Sequence, residues 1–211
     1  MTFRITLLRH GLSQANKSDV VQGQLDFPLA EEGIAQARLL AEYWQTHGEH
    51  FDLIVSSPLL RARQTAEIIA AQLSLIIEFD PGLMERHMGE GQGLGGAEFD
   101  GIIGARPRPS VFEPMLETGE SAWELYRRAS DVLGRLLQRD PGSYLVVSHG
   151  ALLNALLRAV LALAPSGRAR QPSFEFANTA FVELSYDEDE GNWRMHRLNA
   201  TPHLEETWRP S

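Results

Sequence analysis

The chain has 211 residues, 43% hydrophobic and 22% charged, a composition that excludes global disorder and suits a single domain over 1–211. Its formal net charge of -9 would repel a phosphate backbone, so we expect no nucleic-acid partner. The chain contains no cysteine, which excludes disulfides, zinc-thiolate sites, iron-sulfur clusters and a thiol nucleophile.

The apolar segments of the chain do not have the pattern of a signal peptide or a membrane span. Arg4 interrupts the N-terminal apolar run, and Arg9 follows before a hydrophobic region of sufficient length forms. The stretch 151–164 contains Asn154 and Arg158 and is too short to cross a bilayer. We therefore expect a cytoplasmic protein without a membrane partner.

Apolar runs and helical stripes alternate along the chain. Near-continuous apolar runs at 3–8, 51–55, 75–79 and 144–147 predict buried strands of a parallel sheet. Apolar residues with a helical period at 34–44, 59–73 and 125–136 predict helices between them. Two more strands at 180–186 and 193–198 flank an acidic turn and predict an edge hairpin. This alternation predicts an α/β sandwich with helices on both faces of the sheet.

Helix starts are marked by polar residues. Ser57 followed by Pro58 predicts the N-cap of the second helix, and Ser121 with Glu124 predicts a capping box at the third. The segment 89–119 is rich in glycine and proline and has little periodicity, so we predict an irregular excursion over one sheet edge.

Charged and imidazole side chains follow three of the predicted strands. Arg9 and His10 follow the first strand, Arg61 lies one helical turn after the second, and His149 follows the fourth. Ligands of open α/β sheets bind beyond the carboxyl ends of the strands, so these side chains should face one crevice. An arginine near a helix N-terminus is unfavourable unless an anion lies between them. The pattern therefore predicts an anion site.

The same residue types suit phosphoryl transfer. Arginine presents a planar fork of charged donors to phosphoryl oxygens, and a neutral imidazole is a nitrogen nucleophile. Hydrolysis of a phosphomonoester also needs a proton donor for the departing alkoxide. Glu85 follows the third strand at the same edge and is the candidate acid.

Four blocks of sequence resemble the signatures of the histidine phosphatase superfamily, the phosphoglycerate mutase-like family. They are LLRHGLSQAN at 7–16, SSPLLRARQTAEII at 56–69, LMERHMGEGQG at 83–93 and VVSHGALLNALL at 146–157. They occur in family order, and shorter matches are VQGQLDFPLAEEG, TGES, FANTAF and HLEE. The resemblance implies a three-layer sandwich with a mostly parallel central sheet flanked by helices.

The resemblance also implies roles for individual residues. His10 is implied as the nucleophile that becomes phosphohistidine, and Arg9, Arg61 and His149 as the rest of the phosphate pocket. Glu85 is implied as the acid that protonates the leaving group and then activates water. Further contacts to the substrate are expected from side chains in the first block and its following loop, namely Asn16, Gln22 and Gly23. The resemblance implies neither a metal nor an organic cofactor.

Two features depart from a simple match. Ala30 stands where many relatives have a threonine that caps the helix beginning near Glu31, so that helix should lack a side-chain cap. The ERH and GQG elements resemble mutases, whereas the short excursion, TGES and the total length resemble phosphatases. Within the excursion, Arg106 and Arg108 are candidates to contact an acidic part of the substrate.

The leading interpretation is a metal-independent phosphomonoesterase acting on a small phosphorylated metabolite, with a homodimer left open as its assembly. A cofactor-dependent phosphoglycerate mutase is the alternative within the same fold. An inactive binding module is disfavoured because every candidate catalytic residue is present. A metal-dependent hydrolase using His10, His87, His149 and Glu85 is disfavoured because the neighbouring arginines would repel a cation.

Overall fold

The computed structural model describes residues 1–167 and 172–205. Its strands are β1 (Thr2–Arg9), β2 (Leu53–Ser56), β3 (Ile77–Phe79), β4 (Ser143–Ser148), β5 (Phe181–Asp187) and β6 (Asn192–Ala200). Its α-helices are α1 (Gln14–Lys17), α2 (Glu31–Thr46), α3 (Leu60–Leu73), α4 (Gly96–Gly104), α5 (Ala122–Leu137) and α6 (Gly150–Val160). Short 3-10 helices cover Pro81–Leu83, Gly89–Gly91 and Pro202–Leu204.

The strands form one six-stranded sheet in the order β3-β2-β4-β1-β5-β6. The first four strands in this order are parallel, and β5 and β6 pair antiparallel at one edge. This confirms the predicted mostly parallel sheet and the edge hairpin. In the centre, Arg9 of β1 is level with Ser148 of β4, so His10 and His149 leave the sheet side by side.

Helices cover both faces of the sheet because side chains alternate along each strand. Phe3, Ile5 and Leu7 of β1 belong to a buried cluster with α5 and α6. Leu8 of the same strand belongs to the opposite cluster, where Trp44 of α2 packs. Within residues 1–167 and 172–205, no helix has the length and apolar character of a membrane span.

Two of the three helix starts agree with the sequence. The capping box of Ser121 and Glu124 is present at α5, and α2 begins at Glu31 after Ala30 without a side-chain cap hydrogen bond. The predicted N-cap at Ser57 is wrong, because α3 begins at Leu60 after Leu59. The Ser57 hydroxyl lies instead 2.8 Å from Nε2 of His149.

The excursion at 89–119 is not irregular throughout, since it contains α4. This helix has glycine at three of its nine positions, which lowers its intrinsic helix propensity. The sequence pattern therefore does not predict it. Tertiary contacts hold it: the Gly96 N–H donates to the Asp19 carbonyl at its start, and the Phe99 ring packs against Gly91.

The capping box at α5 leads to a stability prediction. We expect Ser121→Ala to lower the free energy of unfolding by about 1 kcal/mol, because the Glu124 N–H loses its acceptor. Ser130→Ala is the matched control in the same helix, since its hydroxyl donates only to the carbonyl four residues back. Urea denaturation of both variants tests this, and equal losses would contradict it.

Candidate active site

A cavity of about 230 Å³ lies at the carboxyl ends of β1 and β4. The loops after these strands meet the start of α3 and the segment that follows β3. The lining consists of charged, polar and apolar side chains: Arg9, His10, Asn16, Val20, Val21, Gln22, Gly23, Arg61, Glu85, Met88 and Ala151. His149 lies next to this lining, with its ring centroid 5.1 Å from that of His10.

His10 is buried, and its surroundings select one neutral tautomer. Its Nδ1 lies 2.7 Å from the Gly11 carbonyl oxygen, a contact that requires the proton on Nδ1. Burial, then Arg61 and Arg9, holds the pKa of His10 well below its ordinary value. The imidazole is therefore neutral at pH 7 and its Nε2 keeps a lone pair.

Glycine is required beside His10 by the packing of the next helix. A Cβ on Gly11 would lie 2.6 Å from the carbonyl oxygen of Gly33 in α2, closer than any normal contact. The Gly11 N–H donates to the Thr65 hydroxyl of α3. These contacts fix the backbone that carries His10 between two helices.

Arg61 is fully buried and is oriented by backbone carbonyls. Its two terminal nitrogens donate to the carbonyls of Gly23 at 2.8 Å and Leu25 at 2.9 Å. Gly23 has a φ of +49°, a conformation that favours glycine in the turn presenting its carbonyl. Burial lowers the pKa of Arg61 to about 10, so its guanidinium is charged at neutral pH.

Arg9 completes the cationic part of the cavity. One of its terminal nitrogens donates to the Phe176 carbonyl at 2.5 Å, and burial lowers its pKa from the usual value. Among the described residues, neither Arg9 nor Arg61 has a carboxylate within 4 Å, and the Nε of each is buried without a hydrogen-bond partner. An anion placed between two largely buried cations of this kind would offset their desolvation.

His149 shares this environment. Its Nε2 lies 2.8 Å from the Ser57 hydroxyl, while its Nδ1 is buried without a partner in the described part of the chain. Burial, followed by Arg61, His10 and Arg9, holds its pKa well below the ordinary value. A second neutral imidazole therefore stands beside His10.

Glu85 faces the arginines from the other side and caps α6. Its carboxylate accepts the N–H groups of Ala151 and Leu152, both at 3.2 Å, and that of Arg86 at 2.8 Å. These helix N–H groups have no partner within the helix, so the carboxylate satisfies them. The side chain is thereby fixed at the cavity wall.

The three remaining predicted contacts also line the cavity. Asn16 uses its Oδ1 to accept from the N–H and hydroxyl of Ser13 and from Asn178, which leaves its Nδ2 as a donor. Gln22 and Gly23 lie in the loop that follows α1. Gln22 contacts the Ser13 hydroxyl through its Oε1.

Comparison with known proteins decides the family. Residues 5–201 match the family model of the histidine phosphatase superfamily, branch 1. The chain belongs to the histidine phosphatase superfamily. Two relatives are each 33% identical: the uncharacterized phosphatase PhoE of Bacillus subtilis, covering 95% of this chain and 96% of its own, and the probable phosphoglycerate mutase GpmB of Yersinia pestis, covering 96% and 95%.

Solved structures of other histidine phosphatase-like proteins share the fold. A mycobacterial glucosyl-3-phosphoglycerate phosphatase with bound VO3 is 30% identical with a TM-score of 0.77, covering 94% of this chain and 99% of its own. A phosphoserine phosphatase of Entamoeba histolytica with 3-phosphoglyceric acid is 26% identical with a TM-score of 0.79, covering 96% and 100%. These matches confirm the predicted family and α/β fold and identify an enzyme of the histidine phosphatase type.

The predicted site residues of this histidine phosphatase do not all meet. Arg106 and Arg108 are exposed and line a separate groove of about 580 Å³ on the excursion, together with Met115 and Leu116. His87 contacts the Gly89 N–H and the Gln92 side chain, and within 1–167 and 172–205 no group of three or more acidic or histidine side chains could hold a metal ion.

Sequence reasoning missed several residues that hold the site in place. Ser57, Thr65 and Asn178 contact His149, the Gly11 backbone and the His10 carbonyl respectively. Each lies inside a matched block or the FANTAF segment, so position in these motifs was the available signal. Their short polar side chains have no periodic pattern that would separate them from ordinary loop residues.

The lowered histidine pKa values of this histidine phosphatase give a pH prediction. Below about pH 6.5 a histidine in the unfolded chain binds a proton, whereas the buried His10 of the folded chain stays neutral. The free energy of unfolding therefore decreases as the pH falls. We expect His10→Asn to reduce this dependence by up to about 1.4 kcal/mol per pH unit. Urea denaturation between pH 7.5 and 5 measures the free energy of unfolding of both proteins. The titration of carboxylates affects both equally, so it cancels in the difference between variant and wild type. Parallel curves would contradict it.

Proposed function

We propose that this protein is a metal-independent cytoplasmic phosphomonoesterase that hydrolyses a small phosphorylated metabolite through a phosphohistidine on His10. The observation that carries the proposal is the neutral His10 beside two largely buried arginines, neither of which forms an ion pair with the described residues, with Glu85 in the same cavity lining. A phosphate dianion would satisfy both guanidinium groups and bring phosphorus to the imidazole.

In the first step, Nε2 of His10 attacks phosphorus while the ester oxygen departs. A nitrogen–phosphorus bond forms, the phosphorus–oxygen bond breaks, and protonated Glu85 gives its proton to the leaving oxygen. Arg9 and Arg61 stabilise the charge on the non-bridging oxygens, and they act strongly because they are buried. His149, with its unpartnered Nδ1, is placed to contact the same oxygens.

In the second step, water attacks the phosphohistidine. The Glu85 carboxylate accepts a proton from the water as the oxygen–phosphorus bond forms and the nitrogen–phosphorus bond breaks. Phosphate leaves, His10 returns to its neutral form and Glu85 is again protonated. The cycle closes without a metal ion.

Hydrolysis is favoured over mutase activity by the rest of the cavity wall. Arg9 and Arg61 are the cationic residues in the described lining, and both are committed to the phosphoryl group. Apart from His10 and Glu85, the remaining side chains of this lining are uncharged: two are amides and four are apolar, namely Asn16, Gln22, Val20, Val21, Met88 and Ala151. A phosphoglycerate mutase must also hold the carboxylate of its substrate, and this wall offers that carboxylate no charged partner. The relatives with phosphatase names act on phosphorylated metabolites, which supports the same substrate class.

One screen tests the reaction. We expect the purified enzyme to release phosphate from several small phosphomonoesters, with little interconversion of 2- and 3-phosphoglycerate even with bisphosphoglycerate added. His10→Ala should lose turnover and the acid-labile, base-stable phosphoryl label that wild type carries. Equal activity of wild type and His10→Ala would disprove the mechanism, and fast interconversion with negligible phosphate release would assign the mutase.

A second experiment tests the acid. We compare kcat/KM for an alkyl phosphate and for p-nitrophenyl phosphate, because this ratio reports the steps up to release of the alcohol. Glu85→Gln should reduce the alkyl value by about 100-fold or more, and the nitrophenyl value far less, since nitrophenolate departs without a proton. Equal reductions would show that Glu85 does not act as the acid.

A further inference from the structure

Arg128 of α5 directs three of its donors to the segment that carries Glu85 and the other two to the Glu120 carboxylate. Its Nε and one terminal nitrogen donate to the two carboxylate oxygens of Glu120 at 2.8 and 2.6 Å. The other terminal nitrogen donates to the carbonyls of Gly82 at 2.8 Å and Met84 at 2.5 Å. The remaining N–H reaches the Glu85 carbonyl at 3.3 Å. Five donors therefore meet five acceptors.

Glu120 contacts the same segment from its other side. Its N–H donates to the His87 carbonyl at 2.8 Å, and its own carbonyl accepts from Nε of Arg86 at 2.9 Å. One carboxylate oxygen lies 3.4 Å from the His87 N–H. The side chains of Arg128 and Glu120 are only 22% and 13% exposed, so water competes weakly for these bonds.

These contacts hold the backbone of Glu85 on α5, while its carboxylate is held on the N-terminus of α6. The two helices pack together in one buried cluster. The position of the carboxyl group in the cavity is thus set by two rigid helices, although Glu85 itself lies between the 3-10 helices outside any α-helix or strand. Displacement of a reacting group by about 1 Å costs a large factor in rate.

We propose that Arg128, held by Glu120, is a positioning residue that sets the Glu85 carboxyl group against the leaving oxygen. This inference rests on the proposed role of Glu85 as the acid. Neither Arg128 nor Glu120 lines the cavity, so the effect of the pair on catalysis passes through the Met84 to His87 backbone that it holds. Lysine cannot replace arginine here, because three donors on one nitrogen cannot span acceptors on both sides.

The test uses Arg128→Lys, which keeps the charge and loses the fork. We expect kcat/KM for the alkyl phosphate to fall about 10- to 100-fold and that for p-nitrophenyl phosphate to change little. The control is Arg127→Lys, because Arg127 is the exposed arginine directly before Arg128 in the same helix. This variant should have the wild-type kcat/KM on both substrates. Equal losses on the two substrates with Arg128→Lys would overturn the proposal.

A double variant separates positioning from general stability. If Arg128 acts through Glu85, adding Arg128→Lys to Glu85→Gln should cost little more on the alkyl phosphate, because the acid is already lost. Multiplied losses in the double variant would overturn the proposal. Glu120→Gln, which loses the charge but keeps one acceptor, should show the same substrate-selective loss and serves if Arg128→Lys does not fold.

The controls also distinguish the positioning role of Arg128 from the proposed function. Absence of phosphatase activity in wild type, or equal losses on both substrates for Glu85→Gln, would refute the proposed function. Selective loss for Glu85→Gln combined with wild-type behaviour of Arg128→Lys would refute only the positioning role.

Discussion

Two largely buried positive charges that form no direct ion pair with the described residues are the constraint on which the site depends. In the described part of the chain, Arg9 and Arg61 donate hydrogen bonds to carbonyl groups, and Glu85 offsets part of the desolvation of both from a distance. Under the proposed function, a phosphate in the cavity would offset the rest. Burial, and after it the same two charges, hold the pKa values of His10 and His149 well below their ordinary value, so one arrangement gives the cavity both positive charge and neutral imidazoles. The folded state therefore loses stability at low pH, because the imidazoles that stay neutral in it would take up protons on unfolding.

The sheet makes this arrangement possible. Parallel neighbours β1 and β4 end at the same level, and α6 begins at Gly150, just after β4, so its first N–H groups lie at the edge of the cavity. One such end, that of α6, is occupied by the Glu85 carboxylate, which leaves the arginines free of it. Acid and cations thus share one small cavity without neutralising each other through a direct ion pair.

Sequence reasoning found the central group because parallel strands bring Arg9, His10 and His149 to one edge whatever the loop details. It could not find what fixes them. The cap on α6 joins residues 66 apart, and Arg128 has the same sequence appearance as its exposed neighbour Arg127. The helix α4 was not predicted, because a glycine-rich segment has a weak helix propensity and its folding depends on tertiary contacts. The pair Arg106 and Arg108 was chosen by charge alone and lies elsewhere.

The excursion is hydrogen-bonded to the loop that lines the cavity next to Arg61. The Val21 N–H donates to the Leu94 carbonyl, the Gly93 N–H returns to Val21, and Gln92 accepts the Gln24 N–H at 2.8 Å. The adjoining carbonyl of Gly23 orients Arg61. These hydrogen bonds order the start of the glycine-rich segment when the chain folds. The composition of the segment alone does not reveal this. A substitution at Gln92 is therefore expected to disturb the turn at Gly23 that orients Arg61, because the Gln24 N–H would lose its acceptor.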